Sequence, residues 1–284
     1  MKHYSRRLSA LLLALLLLFS SAYADSSDAI NILLIGVDSR TEELVGRSDT
    51  MLLVRVDPNG NTVRMVSFLR DLYVDIPEKG NNRLNAAYRY GGEELLKQTL
   101  KQNFDVEVDR TVTVQFSTLV DLIDQLDGID VEITESERKQ LNKVISEYNA
   151  SNHTSIGSFA DAGLQHMNGI QALEYSRIRK IDNDFNRTSR QQTVLYAMMR
   201  QASTKSYWEL FTMALANLSS LQTDLAMSDI ISLLPLAGRL NEITIETTHV
   251  PFEGTYVGRS IDGASVLVPD LEACVAQLKD FLTD

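Results

Sequence analysis

Three groups of polar residues stand apart from the apolar pattern of the chain, and their types suit the handling of phosphate. The first is Gly36-Val37-Asp38-Ser39-Arg40, followed by Arg47-Ser48-Asp49-Thr50. Asp38 falls just past a buried strand and Asp49 just before the next, where ligand sites of layered α/β sheets gather. Two carboxylates there can share a hard cation such as Mg²⁺, or Mn²⁺ in its place, with phosphate oxygens and water completing the shell. Each aspartate can equally cap a turn, a common use of Asp. The second group is Ser67-Phe68-Leu69-Arg70-Asp71, with Asp75 and Pro77 downstream. Arg70 ends a strand near the same edge, and its alternative role is an ion pair with Asp71 or Asp75. The third group is the richest: Tyr175-Ser176-Arg177-Ile178-Arg179, then Asp184-Phe185-Asn186-Arg187, then Arg190-Gln191-Gln192. An extended 175–179 segment sets Arg177 and Arg179 on one face, and a helical 186–200 segment does the same for Arg187, Arg190 and Gln191. Arginine presents a planar fork of donors to phosphate, and a helix start adds unpaired N–H groups. A solvated charged face is the alternative, weakened by the choice of Arg over Lys.

The surrounding pattern describes what must position these groups. Asn31 to Val37, Met51 to Val56 and Thr62 to Phe68 read as strands, and Pro58-Asn59-Gly60-Asn61 as the turn that pairs the last two. Gly91 to Asn103 is helix-like. Thr111 to Phe116 alternates as a strand, and Phe116, Leu119, Val120, Ile123 and Leu126 then follow helical spacing. Ile129, Val131 and Ile133 alternate again. Thr134 to Gly163 is polar and reads as a mobile loop with a helical piece. Asn186 to Leu218 is mostly helical with a break near Ser203, and Ile243 to Thr248 is a strand. Pro269 is expected to open a terminal helix whose apolar face includes Leu271, Val275 and Leu278. On that face Cys274 is a core thiol. The interleaving implies a layered α/β domain with helices flanking a sheet.

Composition narrows the function classes. The chain has 284 residues, 44% hydrophobic, with 27 basic and 38 acidic groups, a net charge of −11. That apolar share supports a real core. The acidic balance excludes a broad nucleic-acid surface, whose affinity rests on many Lys/Arg–phosphate contacts. A single cysteine excludes an intrachain disulfide and a multi-Cys zinc site. Lys2, Arg6 and Arg7, the apolar run Leu8 to Phe19, and Ala22-Tyr23-Ala24 have the layout of a secretory signal. The run is shorter than the roughly 20 residues of a membrane span, which favours cleavage over retention as a short anchor. Loss of residues 1–24 leaves 24 basic groups against 38 acidic, or −14. Residues 25–284 are then expected to be a single extracytoplasmic domain. The four histidines show no metal-ligand spacing, and His166 and His249 read as structural or exposed.

From about Asn31 to Met199 the chain resembles the LytR–CpsA–Psr family of bacterial cell-wall glycopolymer ligases. The resemblance rests on NILLIGVDSR, GRSDTMLLVRVDP, SFLRDLYVDIP, RLNAAYRYGG, FSTLVDLIDQLDGIDVEI, LQHMNGIQALEYSRIR and DNDFNRTSRQQ, in order. It implies an α/β sheet whose helices cover an apolar tunnel for a lipid tail. It also implies an enzyme at the outer face of the cytoplasmic membrane or in the wall. Such an enzyme moves a glycan with one phosphate from a polyprenyl-diphosphate carrier onto peptidoglycan. Carried over by motif, Asp38 and Asp49 would hold Mg²⁺, and Arg70, Arg177, Arg179, Arg187 and Gln191 would bind the diphosphate. Arg190 belongs to the same proposed cluster, and Arg40 and Asp184 are weaker candidates, Asp184 as a general base. Rival readings are a polyprenyl-diphosphate hydrolase and a non-catalytic lipid or glycan binder. The chain departs from the family pattern at Leu69 (usually Pro), Asn186 (usually Gly), Asp127 (often Gly) and the short N-terminal tail.

Overall fold

The computed structural model describes residues 29–37, 48–57, 60–178, 184–217, 221–229, 231, 233 and 242–283. The elements run β1 (Ile30–Val37), β2 (Ser48–Val56), β3 (Thr62–Phe68), β4 (Tyr73–Ile76), β5 (Gly80–Arg83) and α1 (Asn85–Phe104). They continue with β6 (Arg110–Gln115), α2 (Phe116–Gln125), β7 (Ile129–Ile133), α3 (Glu135–Asn152), β8 (Gly163–Met167), α4 (Gly169–Ser176) and α5 (Asp184–Ala202). The chain closes through α6 (Tyr207–Asn217), β9 (Gln222–Thr223), β10 (Thr244–Val250), β11 (Tyr256–Ile261), β12 (Ala264–Pro269) and α7 (Leu271–Thr283).

Six strands form one mixed sheet in the order β10-β3-β2-β1-β6-β9. The expected β2–β3 hairpin is present, with Leu52 opposite Ser67 and Val56 opposite Val63. Pro58 and Asn59 of its turn lie outside the described residues, and the Gly60 N–H donates to the Asp57 carbonyl. β1 runs parallel to β6, and β3 parallel to β10. Because β2 is antiparallel to both β1 and β3, the carboxyl ends of β1, β3, β6 and β10 emerge along one edge.

The continuous apolar runs make both faces of the sheet sticky, and helices cover each. On one face Leu33, Ile35, Met51, Leu53 and Phe68 pack with Leu96, Leu100 and Phe104 of α1 and with Cys274 and Leu278 of α7. Full burial of each such side chain contributes about 1.5–3 kcal/mol. On the other face Leu52, Val54 and Met65 meet Leu195 and Met199 of α5. A third core joins α2, α3, α4 and the β7–β8 ribbon through Ile123, Val131, Leu141, Ile145 and Tyr175. Gly169 lets α4 touch α2, since a Cβ there would lie 2.3 Å from the Val120 carbonyl oxygen.

Four local expectations need correction. Residues 135–152 form a helix of five turns, so the helical piece expected within a loop over Thr134 to Gly163 takes up most of that segment. Its start is a capping box: the Glu137 N–H donates to Thr134 Oγ1, and the Thr134 N–H to Glu137 Oε2. Thr134→Ala is expected to cost about 1 kcal/mol of stability, read as a lowered thermal midpoint with unchanged native circular dichroism. The first long helix begins at Asn85, and Gly91 and Gly92 break its geometry rather than start it. Residues 175–176 end α4 instead of forming an extended segment, so Arg177 is a helix C-cap. Pro269 ends β12, and Asp270 Oδ1 accepts from the Ala273 N–H at the start of α7.

Candidate active site

The carboxyl edge of the sheet holds a cavity of about 180 Å³ whose walls mix apolar side chains with a charged cluster, and that cluster makes it the polar one of two adjoining cavities. β2 contributes Asp49 and Thr50, β3 contributes Ser67, and the turn after it contributes Arg70 and Asp71. The first turns of α5 bring Arg187, Thr188 and Gln191 over the top. Val266 and Leu267 of β12 close the outer wall. α5 is fixed to the sheet because the Gln192 side-chain amide donates to Ser67 Oγ at 3.0 Å and to the Thr248 carbonyl at 2.9 Å. Phe185 locks its start from the side, its ring 4.9 Å from the His249 ring and 5.5 Å from that of Tyr256.

Charge alternates along one wall. Arg70 Nη1 donates to Asp49 Oδ1 at 2.9 Å, and Arg70 Nε lies 3.5 Å from Asp71 Oδ2. Arg187 is 3% exposed and its Nη2 donates to the Asp49 carbonyl at 3.4 Å. Two guanidiniums and the amino end of a helix therefore face one small space, a setting in which charge-assisted bonds to an anion are strong.

An apolar cavity of about 220 Å³ lies behind the polar one, between the sheet and two helices. Its walls are mainly Leu34, Leu119, Leu122, Val194, Leu195 and Met198. Thr50, Ser67 and Gln191 line both cavities and form the boundary. Gly36 belongs to the apolar wall, and a Cβ there would come within 3.0 Å of the Thr50 Cβ. Arg177 also lines this second space, its guanidinium 4.9 Å above the Phe116 ring and 3.6 Å from Glu174. Phe116 starts α2, so the cation reaches the apolar cavity at the β6–α2 junction.

The structure brings together Asp49, Arg70, Arg187 and Gln191, with Arg177 on the wall of the adjoining apolar cavity. Arg190 is not with them. It is 3% exposed, its Nη2 donates to the Ile178 carbonyl at 2.8 Å, and its Nη1 lies 3.4 Å from Glu137 of α3. Successive residues on a helix differ by about 100°, so Arg190 turns away where Gln191 faces the cavity. Its role is to tie α5 to α3 and α4. Asp38, Arg40 and Arg179 lie outside the described residues, as does the side chain of Asp184, the first residue of α5. Val266 and Leu267 were missed. They come from a hairpin whose Asp262-Gly263 turn has φ of 50° and 77°, a signal that Asp-Gly between alternating residues does carry. Cys274 is fully buried and its Sγ lies 3.1 Å from Thr255 Oγ1, as expected of a core thiol.

Comparison with known proteins agrees with this architecture. Residues 17–280 match the LytR_cpsA_psr family. A polyisoprenyl-teichoic acid–peptidoglycan teichoic acid transferase, TagU of Oceanobacillus iheyensis, is 35% identical over 227 residues, 76% of this chain and 66% of TagU. That share is just under two thirds of the relative's length. TagT of Bacillus subtilis, named for the same activity, is 29% identical over 232 residues, 80% of this chain and 70% of TagT. The solved structure of TagT bound to LIIa-WTA superposes with a TM-score of 0.72 at 26% identity, covering 90% of this chain and 92% of that one. A TagT structure with bound octaprenyl pyrophosphate lipid, at 24% identity and a TM-score of 0.67, shares the fold. Matched to the family model over nearly its whole length and sharing its fold with solved members, the chain belongs to the LytR–CpsA–Psr family.

Proposed function

We propose that the protein transfers a glycopolymer with one phosphate from a polyprenyl-diphosphate carrier onto a peptidoglycan hydroxyl. The observation that carries this reading is the pair of cavities sharing Thr50, Ser67 and Gln191 as a common wall. A polar, arginine-lined space against an apolar one fits a ligand with a diphosphate head and a prenyl tail. The names of TagU and TagT and the lipids in the TagT structures support it. The acceptor oxygen forms a bond to the glycan-side phosphorus and the bridging oxygen leaves as polyprenyl phosphate. The acceptor proton passes to a base or to solvent, and Asp184 is the proposed base from its place at the start of α5. Arg70, Arg187 and Gln191 hold the phosphate oxygens, and Arg177, with Arg179 and Arg40 as further candidates, balances charge beside them. Such transfer depends chiefly on positioning and charge neutralisation.

Asp49 gives the cavity a hard oxygen donor, and Asp38 would be its companion. Among the described residues no group of three or more His, Cys, Asp or Glu could hold a metal by itself. One or two carboxylates are what Mg²⁺ (or Mn²⁺) takes when phosphate oxygens and water complete its shell. The ion would neutralise diphosphate charge. The site lies outside the cytoplasmic membrane in this reading. Among the described residues no helix is long and apolar enough to cross a membrane.

The test is incubation of the purified protein with a lipid-diphosphate glycan and peptidoglycan, with Mg²⁺ or with a chelator. Polymer-linked peptidoglycan and polyprenyl phosphate are expected, with yield falling at least about 10-fold under chelation. Free phosphorylated glycan without linked wall would replace the transferase by a hydrolase, and full activity under chelation would remove the metal.

A further inference from the structure

A second polar cavity, of about 190 Å³, lies where the β4–β5 hairpin meets the tip of β11–β12. Its chief walls are Tyr73, Asn81, Asn82, Arg83, Asp262 and Val266. Val266 also lines the arginine cavity, so the two spaces adjoin across β12. A chain of ion pairs runs between them. Asp71 Oδ1 accepts from Arg83 Nη1 at 3.3 Å, and the other oxygen of Asp71 faces Arg70. The hairpin is fixed in place because the Leu267 N–H donates to the Asp71 carbonyl at 2.9 Å.

We infer that this second cavity binds one pyranose ring of the acceptor glycan. The chemistry of the walls selects the ligand class. Arg83 is already paired with Asp71, and Asp262 adds a carboxylate, so a phosphate is disfavoured. The walls are too polar for a prenyl tail. Asn81 offers both donors and acceptors, as ring hydroxyls and acetamido groups require, and Asn82 adds its second N–H and second lone pair, since its Nδ2 already donates to Tyr90 Oη and its Oδ1 accepts from the Arg83 N–H. Tyr73, half-buried on the wall, supplies the ring face against which a sugar lies.

Position selects the acceptor over the donor. In phosphoryl transfer the entering and leaving oxygens lie roughly in line across phosphorus. The leaving polyprenyl phosphate exits toward the apolar cavity, across Thr50, Ser67 and Gln191. The second cavity adjoins a different wall, at Val266. A glycan seated there would present its hydroxyl from the side away from the tail. This inference rests on the transferase reading and assigns its second substrate.

Two variants test it: Asn81→Ala combined with Asn82→Ala, and Ala264→Tyr, which fills the cavity from β12. Steady-state transfer is measured against soluble, peptide-free peptidoglycan oligosaccharides and, separately, against the lipid-diphosphate donor. The acceptor KM is expected to rise about 10-fold or more in both variants, the effect of losing one or two hydrogen bonds. The donor KM is expected to move less than about twofold. A rise in donor KM instead would assign the cavity to the donor sugar and overturn the inference, as would no change in either. Calorimetric titration of the same oligosaccharides without donor separates the two readings. Binding that the variants lose supports the cavity even if the wild type transfers to no acceptor, which would count against the transferase alone. Equal binding by wild type and variants overturns the inference.

Discussion

Replacing Arg70 by alanine is expected to slow glycan–phosphate transfer about 10²–10³-fold, the usual cost of losing one preorganised donor aimed at developing charge. Arg70 stands between Asp49 and Asp71, both within ion-pair distance, and all three line the polar cavity. Alanine removes the cation and leaves two carboxylates facing a dianionic head group, so repulsion replaces attraction at the same place. Arg70→Lys restores charge but not the fork that engages two oxygens at once, and is expected to recover only part of the rate. The effect should fall on the single-turnover rate more than on donor binding, because the tail still anchors in the apolar cavity. The thermal unfolding midpoint is expected to fall as well, since the Arg70 side chain is only 20% exposed and its loss leaves Asp49 and Asp71 without their shared cation. A rate within twofold of wild type would remove Arg70 from the phosphate site.

The strands that carry this site were legible because their apolar runs are unbroken. Ile32, Leu33 and Ile35 could only be a buried strand, and the polar residues just past such strands mark the site edge. Asp49, Arg70, Arg187 and Gln191 all lie within a few residues of a strand end or helix start, so local pattern sufficed to group them. Arg190 fails the same logic for a physical reason. Helical spacing shows which residues are near each other, but not which neighbour each side chain meets. The partner of Arg190, Glu137, belongs to a helix whose low hydrophobicity hid it, although Thr134-Glu135-Ser136-Glu137 spells its cap. An extended 175–179 segment would have set Arg177 and Arg179 on one face. The capping box of Asn168 and Gln171 starts a helix that reaches Ser176 instead. The second polar cavity was out of reach, because it joins hairpins nearly two hundred residues apart and no local signal says that they meet.

Placing a charge in the apolar cavity is expected to raise the KM for a long-chain donor at least about 100-fold, since an unpaired charge against an apolar ligand costs several kcal/mol. Leu119→Glu does this from α2, at a half-buried position on the cavity wall. The tail supplies the comparison. Each buried CH₂ contributes about 0.8 kcal/mol, so one five-carbon prenyl unit withdrawn from the cavity costs up to about 4 kcal/mol, or roughly 10³-fold. Donors of decreasing tail length should therefore lose affinity steeply for the wild type, down to the length that no longer reaches Leu119, Leu122 and Met198. In Leu119→Glu the same series should be much flatter, because the contacts that distinguish long tails from short ones are already impaired. Leu119→Met keeps volume and apolarity and should follow the wild type closely. The steep dependence in one protein and its loss in the other separates a tail-binding cavity from a void left by packing. Equal slopes in both would mean that the prenyl chain runs elsewhere.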